Sequence, residues 1–158
     1  MGIVITRQEL HDVIRAQKDF KKTIVTTNGC FDILHVGHVR YLKQARQLGD
    51  ILIVGVNTDE SVRRLKGPTR PLNNESDRAE ILASLECVDF VTLFSEDTPV
   101  EFLKIAQPNF HAKGGDYDVK NLAETPVVES FGGQMKIIDL VPDKSTTKLI
   151  AKIDGSVC

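Results

Sequence analysis

The chain alternates short apolar runs of strand character with segments of helical period, and this alternation limits the fold more than any other feature. The strand-like runs are TIVTTN at 23–28, ILIVGVN at 51–57, VDFVTLF at 88–94, NFHAKGG at 109–115 and GQMKIIDLV at 133–141. Continuous apolar strands separated by helices indicate a parallel sheet that is covered on both faces. Because crossovers between parallel strands are right-handed, we predict a doubly wound, mostly parallel, Rossmann-like α/β fold.

The helical segments divide the chain into an opening helix and a core. Thr6 and Glu9 have the spacing of a capping box, and Leu10, Val13 and Ile14 share one face of the helix that follows. Further helices are predicted at 37–48, 58–67, 73–86, 98–108 and 145–153. Since 158 residues suit one domain, we predict a single domain over 1–158, with an N-terminal helix in 1–22 that packs on an α/β core at 23–153.

Composition narrows the function classes. Twenty Lys and Arg against 22 Asp and Glu leave a net charge of -2, so no basic field favours nucleic acid or acidic lipid. Cys30, Cys87 and Cys158 are odd in number and form no CxxC pair, which argues against a disulfide framework or a zinc ribbon. Without a signal peptide or an apolar run that could span a membrane, we expect a cytoplasmic enzyme or binding domain.

The segment after the first strand, GCFDILHVGH at 29–38, is the strongest candidate for a ligand site. Ligands of doubly wound sheets bind at the carboxyl ends of the strands. The chain has neither GxGxxG after this strand nor GxxxxGK[ST] anywhere. His35 and His38 instead flank Gly37 at a helix start, where unpaired N–H groups and the helix dipole favour an anion. We predict that both imidazoles stabilise a phosphate as hydrogen-bond donors.

Two other roles remain open for these histidines. One is an ordinary structural role at the start of a helix, and the other is zinc ligation. The spacing of His35 and His38 is not that of HExxH, and the cysteines lie far away in sequence. The pattern therefore favours the phosphate role over a metal-hydrolase site.

The chain resembles the HxGH-motif, cytidylyltransferase-like nucleotidyltransferases. Beyond the motif, it carries TNGCFDILHVGHVRYLKQAR, VGVNTDESVRRLKGPTRPLN, RAEILASLECVDFV, AKGGDY and DKSTTKLI, in that order. These segments are similar to the stand-alone D-glycero-D-manno-heptose 1-phosphate adenylyltransferases, which depend on a separate kinase for their substrate. The resemblance covers nearly the whole chain from Thr27 on.

This resemblance implies an enzyme that transfers AMP from ATP to a heptose 1-phosphate, giving ADP-heptose and pyrophosphate for a lipopolysaccharide-type sugar precursor. It also implies Mg²⁺ bound through the ATP phosphates, small-molecule partners only, and a homo-oligomer, with a dimer preferred. Alternatives are cytidylyl, guanylyl or adenylyl transfer to another phosphate acceptor, such as glycerol 3-phosphate, another sugar phosphate or FMN. A non-catalytic nucleotide-binding sensor is the remote alternative.

Site residues follow from the same resemblance. Catalytic roles are implied for His35, His38 and Lys66. Acceptor binding is implied for Asp32, Lys66, Arg70 and Tyr117. Nucleotide binding is implied for Asn28, Gly29, Cys30, Phe31, Gly37, Arg78, Lys113, Gly115, Asp116, Ser145, Thr146 and Thr147.

Several of these residues also have purely structural interpretations. Arg78 is able to cap its local helix, Asp32 to stabilise a turn, and Ser145 to be an N-cap. Lys66 and Arg70 suit solvated surface positions, and KGGDY suits a glycine turn. One departure concerns Val141, Pro142 and Asp143, which stand where glycerol-phosphate cytidylyltransferases carry an Arg-Thr pair; this weakens a cytidylyl assignment.

Overall fold

The computed structural model describes residues 1–139 and 145–155, which form six parallel strands flanked by helices. The strands are β1 (Ile3–Ile5), β2 (Ile24–Gly29), β3 (Ile51–Asn57), β4 (Phe90–Phe94), β5 (Phe110–Gly114) and β6 (Gln134–Ile138). The helices are α1 (Arg7–Asp19), α2 (Val36–Arg46), α3 (Asp59–Lys66), α4 (Glu75–Ala83), α5 (Val100–Ala106), α6 (Glu124–Ser130) and α7 (Thr146–Ile153), with a 3₁₀ turn at Val119–Asn121.

The strand order is β1-β4-β3-β2-β5-β6, and every pairing is parallel. From β2 the chain builds outward through β3 and β4, then returns to the other side of β2 with β5 and β6. This reversal places a topological switch point between β2 and β5, where such sheets open a crevice at their carboxyl edge. The predicted doubly wound, parallel α/β fold is confirmed.

All five predicted strands and all six predicted helices are present, with ends shifted by a few residues. The opening capping box is also present, because Thr6 Oγ1 accepts a hydrogen bond from the Glu9 backbone and the Glu9 carboxylate accepts one from Thr6. The last predicted strand extended to Val141, but residues 140–144 lie outside the described residues.

Besides the 3₁₀ turn, one strand and one helix were not predicted. The segment 1–22, expected to contribute only a helix, also adds β1, an edge strand that pairs with β4. Strand β1 has only three residues, of which only Ile5 is buried, so the sequence shows no alternation of apolar and polar residues there. Pairing with β4 is what makes this segment a strand. Helix α6 contains Pro126, and proline in a sequence argues against a helix. In the first turn, however, proline is tolerated, because its missing N–H needs no helical partner there.

Two apolar clusters lie on opposite faces of the sheet. One includes Leu42 of α2 and Leu82 of α4 against Val54 of β3. The other includes Leu10 of α1 and Phe102 of α5, together with residues of α6. The sheet is therefore covered on both sides, as its continuous apolar strands require. Among the described helices, none is both long and apolar enough to cross a membrane.

His111 is a polar exception inside this core. Its side chain on β5 is fully buried, and Nδ1 lies 2.8 Å from Thr26 Oγ1 on the neighbouring strand. Nε2 has no hydrogen-bond partner among the described residues. Burial, reinforced by the positive charge of Lys113, lowers the pKa of His111 from 6.5 to about 3. The folded chain therefore holds this imidazole neutral.

We predict that the free energy of unfolding falls as the pH drops from about 6.5 toward 4.5. A histidine whose pKa is lower in the folded chain is protonated more readily in the unfolded chain, so its contribution is complete above 6.5 and is lost below it. His111 alone should remove up to about 1.4 kcal/mol per pH unit. Urea unfolding followed by circular dichroism at several pH values measures this.

The variant His111→Asn should make this pH dependence shallower. His11→Asn is the matched control, because His11 lies exposed on α1 and the change should leave the dependence as it is. If His111→Asn and His11→Asn give the same slope as the unaltered chain, the buried imidazole is not responsible.

Candidate active site

A cavity of about 610 Å³ opens at the carboxyl edge of the sheet, at the switch point between β2 and β5. Most of the predicted site residues line it. These are Asn28, Gly29, Cys30, Phe31, Asp32, His35, Gly37, His38, Lys66, Arg70, Lys113, Tyr117, Ser145, Thr146 and Thr147. Arg78, Gly115 and Asp116 are not among its lining residues. The fold thus brings distant parts of the sequence together around one space.

His35 and His38 form a capping box at the start of α2. His35 is the N-cap, and its Nδ1 accepts a hydrogen bond from the backbone N–H of Gly37 at 3.1 Å. His38 Nδ1 accepts one from the backbone N–H of His35 at 3.3 Å. Because both Nδ1 atoms are acceptors, each neutral ring carries its proton on Nε2. Both histidines therefore serve the helix start and keep a donor nitrogen.

The environment of His38 keeps its ring neutral. Burial, with a smaller contribution from the repulsion that a second protonated ring at His35 would exert, lowers the pKa of His38 from 6.5 to about 4. The two imidazoles stack with centroids 3.9 Å apart, and the Phe31 ring meets His38 edge-on at 5.4 Å. At neutral pH, His38 is therefore an uncharged N–H donor rather than a cation or a proton acceptor at Nε2.

The loop between β2 and α2 turns sharply at Phe31. Its φ of 48° lies in the left-handed region, which is unfavourable for a bulky residue unless the surroundings hold it. A Cβ on Gly29 would lie 3.0 Å from the Phe31 ring, so the glycine makes room for the ring. The turn directs the following residues toward the start of α2.

Arg78 holds this loop from inside the protein. Its guanidinium is fully buried and donates to the carbonyls of Cys30 at 2.5 Å, Asn57 at 2.8 Å and Asn73 at 3.0 Å, with an ion pair to Asp59 at 2.9 Å. These contacts use all three guanidinium nitrogens. The contact of Arg78 with nucleotide stays a prediction, and the observed position is that of a link beneath the cavity rather than of a local helix cap.

Asp32 connects the same loop to the segment before α4. Its buried carboxylate accepts hydrogen bonds from Arg70 Nε at 2.5 Å and from the backbone N–H groups of Leu72 at 2.8 Å and Asn73 at 2.9 Å. Burial acts to raise the pKa of Asp32, but these bonds outweigh it and hold the pKa below its usual value. Asp32 is therefore an ionised anchor, and Arg70 is neutralised by it.

Lys66 contrasts with Arg70. It is the last residue of α3, lies exposed at the cavity, and makes no salt bridge with any residue in the described part of the chain. Gly67 follows with a φ of 101°, outside the range that side chains favour. The ammonium of Lys66 can therefore approach an incoming phosphate without first leaving a carboxylate.

The start of α7 faces the cavity beside α2. Ser145 is its N-cap, with Oγ accepting from the Lys148 backbone at 3.1 Å, while Thr146 Oγ1 donates to the Ile33 carbonyl at 3.0 Å. The N-cap interpretation of Ser145 holds, and Ser145 also lines the cavity with Thr146 and Thr147. The departure at Val141–Asp143 lies outside the described residues. Two helix N-termini thus present positive dipole ends to one space.

The other side of the cavity contains a pair that the sequence did not reveal. Lys113 Nζ lies 2.5 Å from Glu124 Oε1 and 3.5 Å from Asn28 Oδ1, and 6.0 Å from the centre of the Tyr117 ring. Glu124 belongs to the unpredicted helix α6, so no motif or periodicity pointed to it.

Other lining residues were also missed, among them Tyr41, Asn57, Thr98 and Pro99. Tyr41 had a usable signal, because it lies one helical turn after His38 and so shares its face of α2. Its hydroxyl donates to the Ala112 carbonyl at 2.9 Å and joins Thr27 Oγ1 at 2.5 Å. Tyr41 thereby connects α2 with β2 and β5 beneath the cavity.

Cys30 lies in the cavity wall as a protonated thiol. Burial raises its pKa, and the positive charges of Lys66, Arg78 and Arg70 offset only part of this effect. A thiol with a raised pKa is a poor nucleophile. The cavity therefore offers hydrogen-bond donors and cations rather than an activated nucleophile.

Within residues 1–139 and 145–155, no three His, Cys, Asp or Glu side chains come together in a way that would hold a metal ion. The carboxylates at the cavity, Asp32, Asp97 and Glu124, are each engaged with a cation of the chain.

Residues 26–151 match the family model described as cytidylyltransferase-like. Among curated proteins, the bifunctional protein HldE of Syntrophotalea carbinolica is 52% identical over 147 residues, which cover 93% of this chain and 30% of that protein. HldE of Sulfurimonas denitrificans is 51% identical over 150 residues, covering 95% and 31%. The chain thus spans about a third or less of the length of these relatives.

Two solved structures have the same fold. The lipopolysaccharide core biosynthesis protein from Thermoplasma volcanium is 30% identical, with a TM-score of 0.63 over 76% of this chain and 97% of that one. Pantoate-β-alanine ligase from Francisella tularensis has a TM-score of 0.63 at 14% identity, over 98% and 77%, a likeness of fold alone. With a family model that matches most of its length, the chain belongs to the cytidylyltransferase-like family and is a nucleotidyltransferase of Rossmann-like fold.

Proposed function

We propose that this chain transfers the adenylyl group of ATP to the phosphate of a heptose 1-phosphate, releasing pyrophosphate and giving ADP-heptose. The observation that carries the proposal is the convergence of His35, His38, Lys66 and two helix N-termini on one cavity. Each of these groups stabilises negative charge, which is what transfer between phosphates requires.

The reaction needs no general base. A sugar phosphate is ionised at neutral pH, so its oxygen attacks the α-phosphorus directly while the bond to the departing pyrophosphate breaks. The neutral imidazoles donate from Nε2 to the oxygens on which charge accumulates, and Lys66 offers a cation to the phosphates. This agrees with a cavity whose thiol is protonated and whose carboxylates are neutralised.

Mg²⁺ is the cofactor that we propose. When bound, it screens the triphosphate and assists the departure of pyrophosphate. In this proposal the chain contributes no side-chain cage for the ion, and the α2 and α7 N-termini hold the phosphates that carry it.

The choice of acceptor rests on similarity. The segments from RLKG to KGGDY resemble those of the heptose enzymes, and relatives at about half identity are bifunctional HldE proteins. A structural relative is named a lipopolysaccharide core biosynthesis protein. These similarities support a sugar phosphate over glycerol 3-phosphate or FMN.

The first prediction that follows from the proposed function concerns nucleotide choice. With heptose 1-phosphate as acceptor, ATP should be preferred over CTP by roughly tenfold in kcat/KM, because one or two hydrogen bonds to the base edge supply about 1.4 kcal/mol. Pyrophosphate release across a panel of nucleotides and sugar phosphates measures this. Equal or faster turnover with CTP would make the protein a cytidylyltransferase, and ATP binding without any release would make it a sensor.

The second prediction concerns the histidines. His35→Ala or His38→Ala should lower kcat by about a hundredfold to a thousandfold, the loss typical of one donor to developing charge. Each also removes a capping acceptor, so the free energy of unfolding should fall by about 1 kcal/mol. The exposed neighbour Val36, which does not line the cavity, provides the control Val36→Ala, with little change in kcat.

Replacement of either histidine with Asn separates donation from proton transfer. Asn can accept from the helix backbone and donate from its amide, so His35→Asn and His38→Asn should regain the lost stability and part of the turnover. Transfer from an α-thiophosphate analogue of ATP should invert the configuration at phosphorus. Retention would demand a covalent nucleotidyl-enzyme and would refute the donor role.

The third prediction concerns Lys66. Lys66→Ala should raise KM for both ATP and the acceptor and lower kcat, since a cation that no described carboxylate pairs with can contact phosphate on either substrate. Arg63→Ala is the matched control, because Arg63 is exposed on the same helix and does not line the cavity. Steady-state kinetics with each substrate varied in turn measures the difference. If both variants behave alike, Lys66 is an ordinary surface residue.

A further inference from the structure

The Lys113–Glu124 pair lies on the side of the cavity away from the histidines. Ala112 packs in the cluster that contains α2, and alternation along β5 turns Lys113 to the opposite face. Helix α6, which begins with Glu124, packs on that opposite face. The cavity therefore has two sides, one with the two histidines and the starts of α2 and α7, and one with this ion pair.

The charges of the two sides differ. Three cations among the described residues line the cavity, namely Lys66, Arg70 and Lys113. Arg70 is paired with Asp32, and Lys113 with Glu124, which leaves Lys66 and the helix N-termini to attract phosphate. The Lys113–Glu124 side is electrically neutral, so it is suited to an uncharged part of a ligand.

The chemistry of the pair fits hydroxyl groups. The Glu124 side chain is only 7% exposed, and its Oε1 accepts a hydrogen bond from Lys113 Nζ. Its Oε2 accepts no hydrogen bond from any residue that the structure describes, although Glu124 lines the cavity. A carboxylate oxygen in this position is open to a hydrogen-bond donor from a ligand. Lys113 adds a hydrogen-bond donor for hydroxyl groups, and Tyr117 adds the face of its ring. This combination suits a polyhydroxylated ligand.

We propose that Glu124, together with Lys113, binds neutral hydroxyl groups of the acceptor sugar and so selects a polyhydroxylated acceptor. The inference rests on the proposed transfer to a sugar 1-phosphate and names the part of the cavity that recognises the sugar. The acceptor phosphate faces the histidines and Lys66, and the rest of the sugar extends to Glu124.

The experiment compares Glu124→Gln with Glu129→Gln. Both residues are on α6, but Glu129 is exposed and does not line the cavity. Acceptors are heptose 1-phosphate and analogues that each lack one ring hydroxyl. For the unaltered enzyme, one or two of these deletions should lower kcat/KM by about 10- to 100-fold, as expected for a hydrogen bond to a charged group.

In Glu124→Gln, kcat/KM for the complete acceptor should fall by a similar factor, and the same hydroxyl deletions should then cost little further. KM for ATP should stay within about twofold in both variants. Glu129→Gln should retain the full discrimination of the unaltered enzyme.

Several results would overturn the inference. An equal loss for all acceptors would make Glu124 structural, and a rise in KM for ATP alone would assign the pair to the nucleotide ribose. If Glu124→Gln does not fold, the analogue series on the unaltered enzyme still decides, because the inference fails if no hydroxyl deletion costs more than about twofold. Absence of transfer to any sugar 1-phosphate by the unaltered enzyme would instead refute the proposed function itself.

Discussion

The buried guanidinium of Arg78 determines the shape of the cavity floor. It donates hydrogen bonds to the carbonyls of Cys30, Asn57 and Asn73 and to the carboxylate of Asp59. These acceptors belong to the ends of β2 and β3 and to the segments beside them. A buried cation is unfavourable unless it is fully hydrogen-bonded, so these four partners must be present together. The positive φ of Phe31 and the path of the chain toward α2 depend on this arrangement.

The histidine pair shows how local structure and chemistry share the same atoms. A helix start must satisfy its first N–H groups, and here imidazole Nδ1 atoms do so. That requirement fixes the tautomer, and the tautomer places the proton on Nε2. Burial then keeps His38 uncharged. The capping interaction and the proposed donor role are therefore compatible in a single structural arrangement, because capping uses Nδ1 and leaves the proton on Nε2.

The sequence was informative where the signal is local or periodic. Continuous apolar runs indicated five of the six strands, β2 to β6. The spacing of Thr6 and Glu9 indicated where the first helix begins. The burial of the Arg78 guanidinium was not predictable, because its partners are distant in sequence. The Asn57 carbonyl lies 21 residues away and the Cys30 carbonyl 48 residues away. Glu124 stayed hidden for the same reason, since its importance comes from Lys113 on a neighbouring element.

The hydrogen bond from Thr146 to Ile33 joins residues 113 positions apart in sequence. Closing so long a loop costs entropy before any contact compensates for it. The loop after β2 and α2 can form early, from the βαβ unit of β2, α2 and β3, whose contacts are near in sequence. The histidine side of the cavity is then completed only when α7 reaches the loop. During synthesis, while α7 is still inside the ribosome, the chain would hold its histidines in place and yet lack one wall of the candidate active site.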